Sequence, residues 1–247
     1  MKKDLHVCWL INEWRPSLEK HIIAWQKAGY HCILWHSDQI SNIDVPDLEL
    51  RSAKNIVNGS IVEKVYNYES KYGMYVVCSE LLRYLVLYIH GGHYVDLDNL
   101  PGKTVPPESS TLLFDRPSKS TTLHKDLEIR YIKSNIGNEI ILSLLREAVK
   151  NENNFIKNGG YFKSSGLTTP YRTGCAMAFK VVKNECLRLN IDIETLLISN
   201  VTNIDTEENN RLHHHERPLM NLYSIKTLTE EVIRRDIETY AAENREI

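Results

Sequence analysis

The chain has 247 residues, 42% of them hydrophobic and 25% charged, with a formal net charge of −2. This is the profile of a globular domain large enough to bury a core. Near-neutral charge gives no electrostatic case for nucleic acid or an anionic membrane as the main partner. No run approaches the ~18 apolar residues of a membrane-spanning helix. The lysine-headed N-terminus has too short an apolar core for a signal peptide and reads as a first strand. Five cysteines, Cys8, Cys32, Cys78, Cys175 and Cys186, are odd in number and widely spaced. They read as reduced, buried thiols of a cytoplasmic protein and not as a disulfide framework.

Taken in order, Leu5–Ile11 reads as a strand, Pro16–Ala28 as a helix opened by proline, and His31–Trp35 as a second strand. Residues 37–60 are polar and irregular, and Val62–Tyr72 is ambiguous. Tyr75–Ile89 is a helix apolar nearly all round, the pattern of a buried helix. It nonetheless carries Glu80 and Arg83, three apart and so on one face. Either they pair with each other, or both point into a polar cleft, because buried charge is costly without a partner. Gly91-Gly92 allows a sharp exit from the helix into a short strand, Tyr94-Val95. Thr111–Phe114 and Leu127–Ile132 read as strands, Gly137–Lys150 as a helix, Met177–Val182 as a strand and Leu228–Glu243 as a polar amphipathic helix. The alternation predicts an α/β layered fold. Neither a repeat nor a linker divides the chain. Ligands in such folds sit at the carboxyl ends of strands, where Trp9–Asn12 and Asp96–Asp98 fall.

Asp96 and Asp98 stand at i, i+2. At a strand end that spacing points both carboxylates to one side. Two hard oxygen ligands suit Mg²⁺ or Mn²⁺, which keep positions open for phosphate oxygens and water. The residues alone therefore point to a divalent cation that holds a phosphorylated ligand. His213-His214-His215-Glu216 is a second place to look for metal, although adjacent side chains point in different directions. Its other reading is a solvated loop.

The run Glu80-Leu81-Leu82-Arg83, followed by Gly91-Gly92-His93-Tyr94-Val95-Asp96-Leu97-Asp98, resembles a known family. It looks like the sugar-nucleotide-binding region of glycosyltransferases with a DXD motif. It is similar to glycosyltransferase family 32 and to the catalytic domains of large clostridial glucosylating toxins. Weaker similarity covers Trp9 in the first strand, the helix after it, and Cys32–Trp35 followed by Asp38. Beyond about residue 150 it thins to fragments.

The resemblance implies a GT-A fold, Rossmann-like, with a mostly parallel central sheet and extra helices. It implies one domain, 1–247, in which 1–115 bind the nucleotide sugar and 116–247 form the acceptor side and a C-terminal closing segment. It implies metal-dependent, retaining transfer from a nucleotide diphosphate sugar, a UDP-sugar first, with Mn²⁺ or Mg²⁺. Asp98 would be the direct metal ligand, and Asp96 would contact the ribose, or the metal through water. Glu80 and Arg83 would hold the sugar hydroxyls and the phosphate–sugar junction. This chain has Glu80 where the toxins have Asp, so reach and sugar choice differ. Trp9 would stack on the base, its other reading being a core residue. Tyr94, Asn12 and Asp38 would contact base or ribose, and Ser134 and Asn135 would line the donor cleft. Relatives close the site with a C-terminal Ser and Trp, yet no Trp follows Trp35 here. His215, Asn221 or Ser224 would substitute, the first two as metal ligands. Lys163–Gly174 reads as a loop facing sugar or acceptor, with Thr173-Gly174 as a remnant of the family's Thr-Gly element.

The expected acceptor is a glycan or glycolipid of bacterial surface polysaccharide, at a cytoplasmic site with room for peripheral contact at the inner membrane. The alternative is an effector that modifies a host protein. Two rivals belong to other classes. A haloacid dehalogenase-type phosphatase would trap an aspartyl-phosphate on Asp96. A non-catalytic nucleotide or glycan binding module would bind UDP without releasing it from a sugar donor.

Overall fold

The computed structural model describes residues 3–116 apart from 12, 39, 41 and 42, together with 127–159 and 172–205. The apolar N-terminal run forms β1 (Lys3–Trp9), and Pro16–Leu18 make a 3₁₀ turn that leads into α1 (Glu19–Lys27). Next come β2 (Tyr30–His36), β3 (Glu49–Ser52), α2 (Lys54–Val57), α3 (Glu63–Lys71), α4 (Tyr75–His90), β4 (Gly92–Val95) and β5 (Asn99–Pro101). The described chain continues with β6 (Leu112–Asp115), β7 (Glu128–Ser134), α5 (Glu139–Lys157), α6 (Cys175–Leu189), β8 (Leu197–Ile198) and β9 (Thr202–Ile204).

The central sheet is seven-stranded, in the order β3-β2-β1-β4-β7-β6-β8. Its pairings are parallel except at β4–β7 and β7–β6. A two-stranded ribbon, β5-β9, stands beside it. Alternating side chains feed two cores, as the period of a strand requires. Leu5, Val7, Trp9 and Val95 pack with Leu18, Ile22 and Trp25 around α1. Cys8, Leu10 and Tyr94 pack on the other face with α3, α4 and α5. The cysteines are free, four of them buried and Cys175 half-buried.

Three local readings change. Residues 49–57 are not irregular but form the edge strand β3 and the single turn α2. Val62–Tyr72 resolves as α3. Met177–Val182 is helical, not a strand: the β-branched pair Val181-Val182 suggests extension, but the buried positions Ala178, Val182 and Cys186 recur every four residues, a helical spacing. The expected C-terminal helix, Leu228–Glu243, lies outside the described residues.

The passage from α4 into β4 depends on two glycines. Gly91 has φ +66°, and a Cβ there would sit 2.8 Å from the Ile136 backbone nitrogen. Gly92 has φ +84°, with the Asp4 carbonyl oxygen 2.9 Å from where its Cβ would be. Only glycine tolerates both constraints. A buried histidine holds the turn against β1. The Trp35 indole N–H donates to His6 Nδ1 at 3.2 Å, which leaves Nε2 as the protonated nitrogen, donating to the Gly91 carbonyl at 3.1 Å. Burial pushes the His6 pKa down to about 4, so the imidazole stays neutral and this tautomer persists.

Gly91→Ala should therefore cost on the order of 1–3 kcal/mol. Gly137 also has positive φ (+69°) but open space around it. Gly137→Ala should cost less. Chemical denaturation of the two variants checks this, and equal losses would mean that the close approach at Gly91 carries no energy.

Candidate active site

The acidic pair does not sit within a strand. Asp96 follows the last residue of β4, and its amide donates to the Arg130 carbonyl at 2.9 Å. The Asn99 amide closes back on the Asp96 carbonyl at 3.0 Å. Asp96–Asn99 is thus a tight turn between β4 and β5, and this turn, not the strand repeat, sets the direction of the two carboxylates. The Trp25 indole donates to the Asn99 carbonyl at 2.9 Å, and the Asp205 amide to the Asp98 carbonyl at 3.2 Å. Helix α1 and the end of β9 therefore pin the turn from outside.

Within it, Asp98 accepts from the Asn99 side-chain amide at 2.7 Å. Burial first, and the nearby Asp96 charge second, push the Asp98 carboxyl up to about 6. Two carboxylates this close repel, and a cation relieves that repulsion.

Arg83 is buried, 5% exposed, and does not depend on Glu80 alone for compensation. Its Nη2 lies 2.6 Å from Asp96 Oδ1, and its guanidinium stacks 4.5 Å from the Tyr94 ring centroid. Among the described residues, Arg83 Nε and Nη1 have no hydrogen-bond partner. Glu80, one helical turn earlier and half-buried, accepts a hydrogen bond from the Thr173 hydroxyl on Oε2. Burial pushes its carboxyl up to about 7, against the pull of Arg83 and of that hydroxyl. Glu80 and Arg83 are thus not confined to a mutual pair: Arg83 is held by Asp96 and Glu80 by Thr173.

The structure separates other candidates. Trp9 is 6% exposed and lies in the α1 core, on the sheet face opposite Tyr94 and Arg83. Its indole donates to the Glu13 carbonyl at 2.9 Å, and its ring meets Trp14 edge-on at 6.1 Å. Of its two readings, the core one describes this geometry. Asp38 follows β2 on the carboxyl edge of the sheet, exposed, with Lys54 Nζ 2.7 Å away and the Ser52 hydroxyl donating to it. Those two contacts hold its carboxyl below the usual range. Ser134 pairs with Gly92, at the opposite end of β4 from Asp96. Ser134 and Asn135 are therefore a strand length away from the acidic turn and do not line this site. Asn12, His215, Asn221, Ser224 and 163–171 of the expected loop lie outside the described residues.

Several neighbours were not read from sequence. Arg130 and Glu128, on the β7 end opposite Val95, form an ion pair beside the turn. Asp115, at the tip of β6, accepts from the Thr202 hydroxyl at 3.0 Å. Burial pushes its carboxyl up to about 6. Only Asn99, adjacent to the motif, carried a local signal.

Residues 12–116, less than half of the chain, match the family described as "glycosyltransferase sugar-binding region containing DXD motif". No curated protein matches the chain by sequence. Among solved structures, the PaToxG glycosyltransferase is 17% identical with a TM-score of 0.59, over 98% of this chain and 87% of that one. The UDP-bound glycosyltransferase domain of the YGT toxin is 12% identical with a TM-score of 0.57, over 81% of this chain and 79% of that one. At these identities the likeness is one of fold. The matched region contains the acidic turn, and the fold is that of GT-A glycosyltransferase structures.

Proposed function

We propose that the chain transfers a sugar from a nucleotide diphosphate donor, a UDP-sugar first, with a divalent cation on Asp98 and Asp96. The observation that carries this reading is Arg83. A buried guanidinium oriented by Asp96 and Tyr94 keeps Nε and Nη1 without partners among the described residues. Buried donors left unpaired are costly, and an anionic ligand satisfies them.

The donor set fits the cation. No group of three His, Cys, Asp or Glu forms a cage among the described residues. Two hard carboxylates, with further positions supplied by phosphate and water, are how Mg²⁺ or Mn²⁺ is commonly held. When bound, the ion supplies Lewis-acid neutralisation of the diphosphate. Arg83 adds a permanent charge where negative charge grows as the sugar–oxygen bond lengthens. Glu80 accepts from sugar hydroxyls and so fixes the ring against Arg83. Asp38, on the same edge, is assigned to the ribose. Retention follows from the family resemblance: the acceptor oxygen bonds the anomeric carbon on the face that the diphosphate leaves. The acceptor's proton passes to the departing phosphate oxygen, and no separate base is required.

A glycan or glycolipid of surface polysaccharide is the acceptor we assign. A protein acceptor is the second reading, and the fold shared with a toxin's glycosyltransferase domain favours it. Among the described residues no helix is long and apolar enough to cross a membrane.

A panel of UDP-, GDP- and ADP-sugars with Mn²⁺, scored by mass spectrometry for released nucleotide, should give UDP release. Release from none of them would refute the reading. Asp98→Asn should lower that turnover at least about a hundredfold while the far-UV spectrum stays unchanged. Wild-type turnover in the variant would remove Asp98 from the site.

Arg83→Lys should cost about tenfold or more in kcat/KM, because Lys lacks the fork. If Arg83 serves only as an internal ion-pair partner, melting temperature will fall while activity per folded molecule stays normal.

A further inference from the structure

We propose that Thr173 is a positioning residue for Glu80, held in place by a buried polar cluster around Arg172. The inference rests on the reading of Glu80 as the contact to the donor sugar. Thr173 is fully buried, far from Glu80 in the chain, and its hydroxyl donates to Glu80 Oε2. Its carbonyl accepts from the Tyr84 hydroxyl at 3.0 Å. Both ends of the residue are thus tied to α4, the helix that carries Glu80 and Arg83.

The residue before it is fixed just as firmly. The Arg172 guanidinium, 7% exposed, reaches Glu152 Oε2 at 3.1 Å and lies 3.6 Å from the Phe155 ring centroid. The Asn151 side-chain amide donates to the Arg172 carbonyl at 3.0 Å. Glu152 occupies the apolar stripe of α5, where its neighbours are Ala148, Val149 and Ile156. Glu69, fully buried on α3, lies close enough for its charge to act on Glu152. Burial, and then Glu69, push the Glu152 carboxyl upward.

A leucine at position 152 would pack that stripe without desolvating a charge. Replacing buried ions with apolar residues is often neutral or stabilising. What the cluster adds is direction, because the Arg172 guanidinium contacts Glu152 and Phe155 while its carbonyl accepts from Asn151. The Thr173 hydroxyl then meets Glu80 from a fixed backbone. A free glutamate samples several rotamers, and a carboxylate that must read sugar hydroxyls gains from losing that freedom before the ligand arrives.

A double-mutant cycle tests this, with Mn²⁺ and the UDP-sugar that the panel selects. Thr173→Val should lower kcat/KM about tenfold, the scale of one positioned hydrogen bond. Thr173→Ser, which keeps the hydroxyl, should stay within about twofold of the parent. In a Glu80→Gln background Thr173→Val should add almost nothing, since residues in contact couple. Equal losses in both backgrounds would overturn the proposal. Thr173→Ala repeats the cycle should the valine variant fold poorly.

A readout free of activity is the ¹³C carboxyl resonance of Glu80, assigned by its loss in Glu80→Gln. It should move in Thr173→Val and return in Thr173→Ser, and an unmoved resonance would overturn the contact. Should the resonance move while Glu80→Gln leaves kcat/KM intact, the donor role of Glu80 fails and the positioning contact stands.

Discussion

The pairing of Arg83 with Asp96 is the contact on which the rest of the site depends. It joins the buried helix α4 to the turn after β4, at 2.6 Å. Desolvating a guanidinium costs several kcal/mol, and one carboxylate at the edge of solvent offsets only part of it. The sequence could have placed Leu at position 83 and gained a drier core. Instead the buried charge draws the acidic turn onto α4 and leaves Nε and Nη1 without a partner among the described residues.

How much of this could be read beforehand divides along sequence distance. Helix α4, the two glycines, the short strand and the acidic pair are contiguous, and each carries a local reason. The all-round apolar pattern demands burial, the glycines answer two backbone clashes, and the carboxylates stand two residues apart just past the strand. The α/β class was legible from alternation alone. The surroundings of Glu80 were not. Nothing near Thr173 predicts that its hydroxyl meets a carboxylate of α4, because only the packing of α5 against α4, and of α6 against α5, brings them together. Trp25 and Arg130 are similar, for their roles depend on sheet register. Ser134 shows the reverse error: a polar residue at a plausible sequence distance falls at the wrong end of β4, because β7 runs antiparallel to it.

Trp9 marks the limit of reading an aromatic from a strand. Its position at the carboxyl end of β1 suits a base-stacking role, but side chains alternate, and the odd positions of β1 face α1. The charged cluster lies on the even side with Tyr94. One residue of register decides whether an aromatic joins the core or the site. Here the indole N–H is already bonded to Glu13, and Trp14 lies against the ring.

Glu80 and Arg83 are neighbours on one helical face, yet distant elements hold them in place. Asp96, from the β4 turn, orients Arg83. Thr173, from the segment before α6, takes up Glu80 Oε2. In the proposed geometry Arg83 serves the phosphate end of the donor and Glu80 the sugar end. The two ends can then be altered independently. A change at β4 acts on how the diphosphate is gripped, whereas a change around Arg172 acts on which sugar hydroxyls are read. One rigid helix keeps the spacing between the two functions constant, because the rise along α4 fixes the separation of residues one turn apart. On the proposed assignment, sugar specificity can change without rebuilding the contacts to the leaving group.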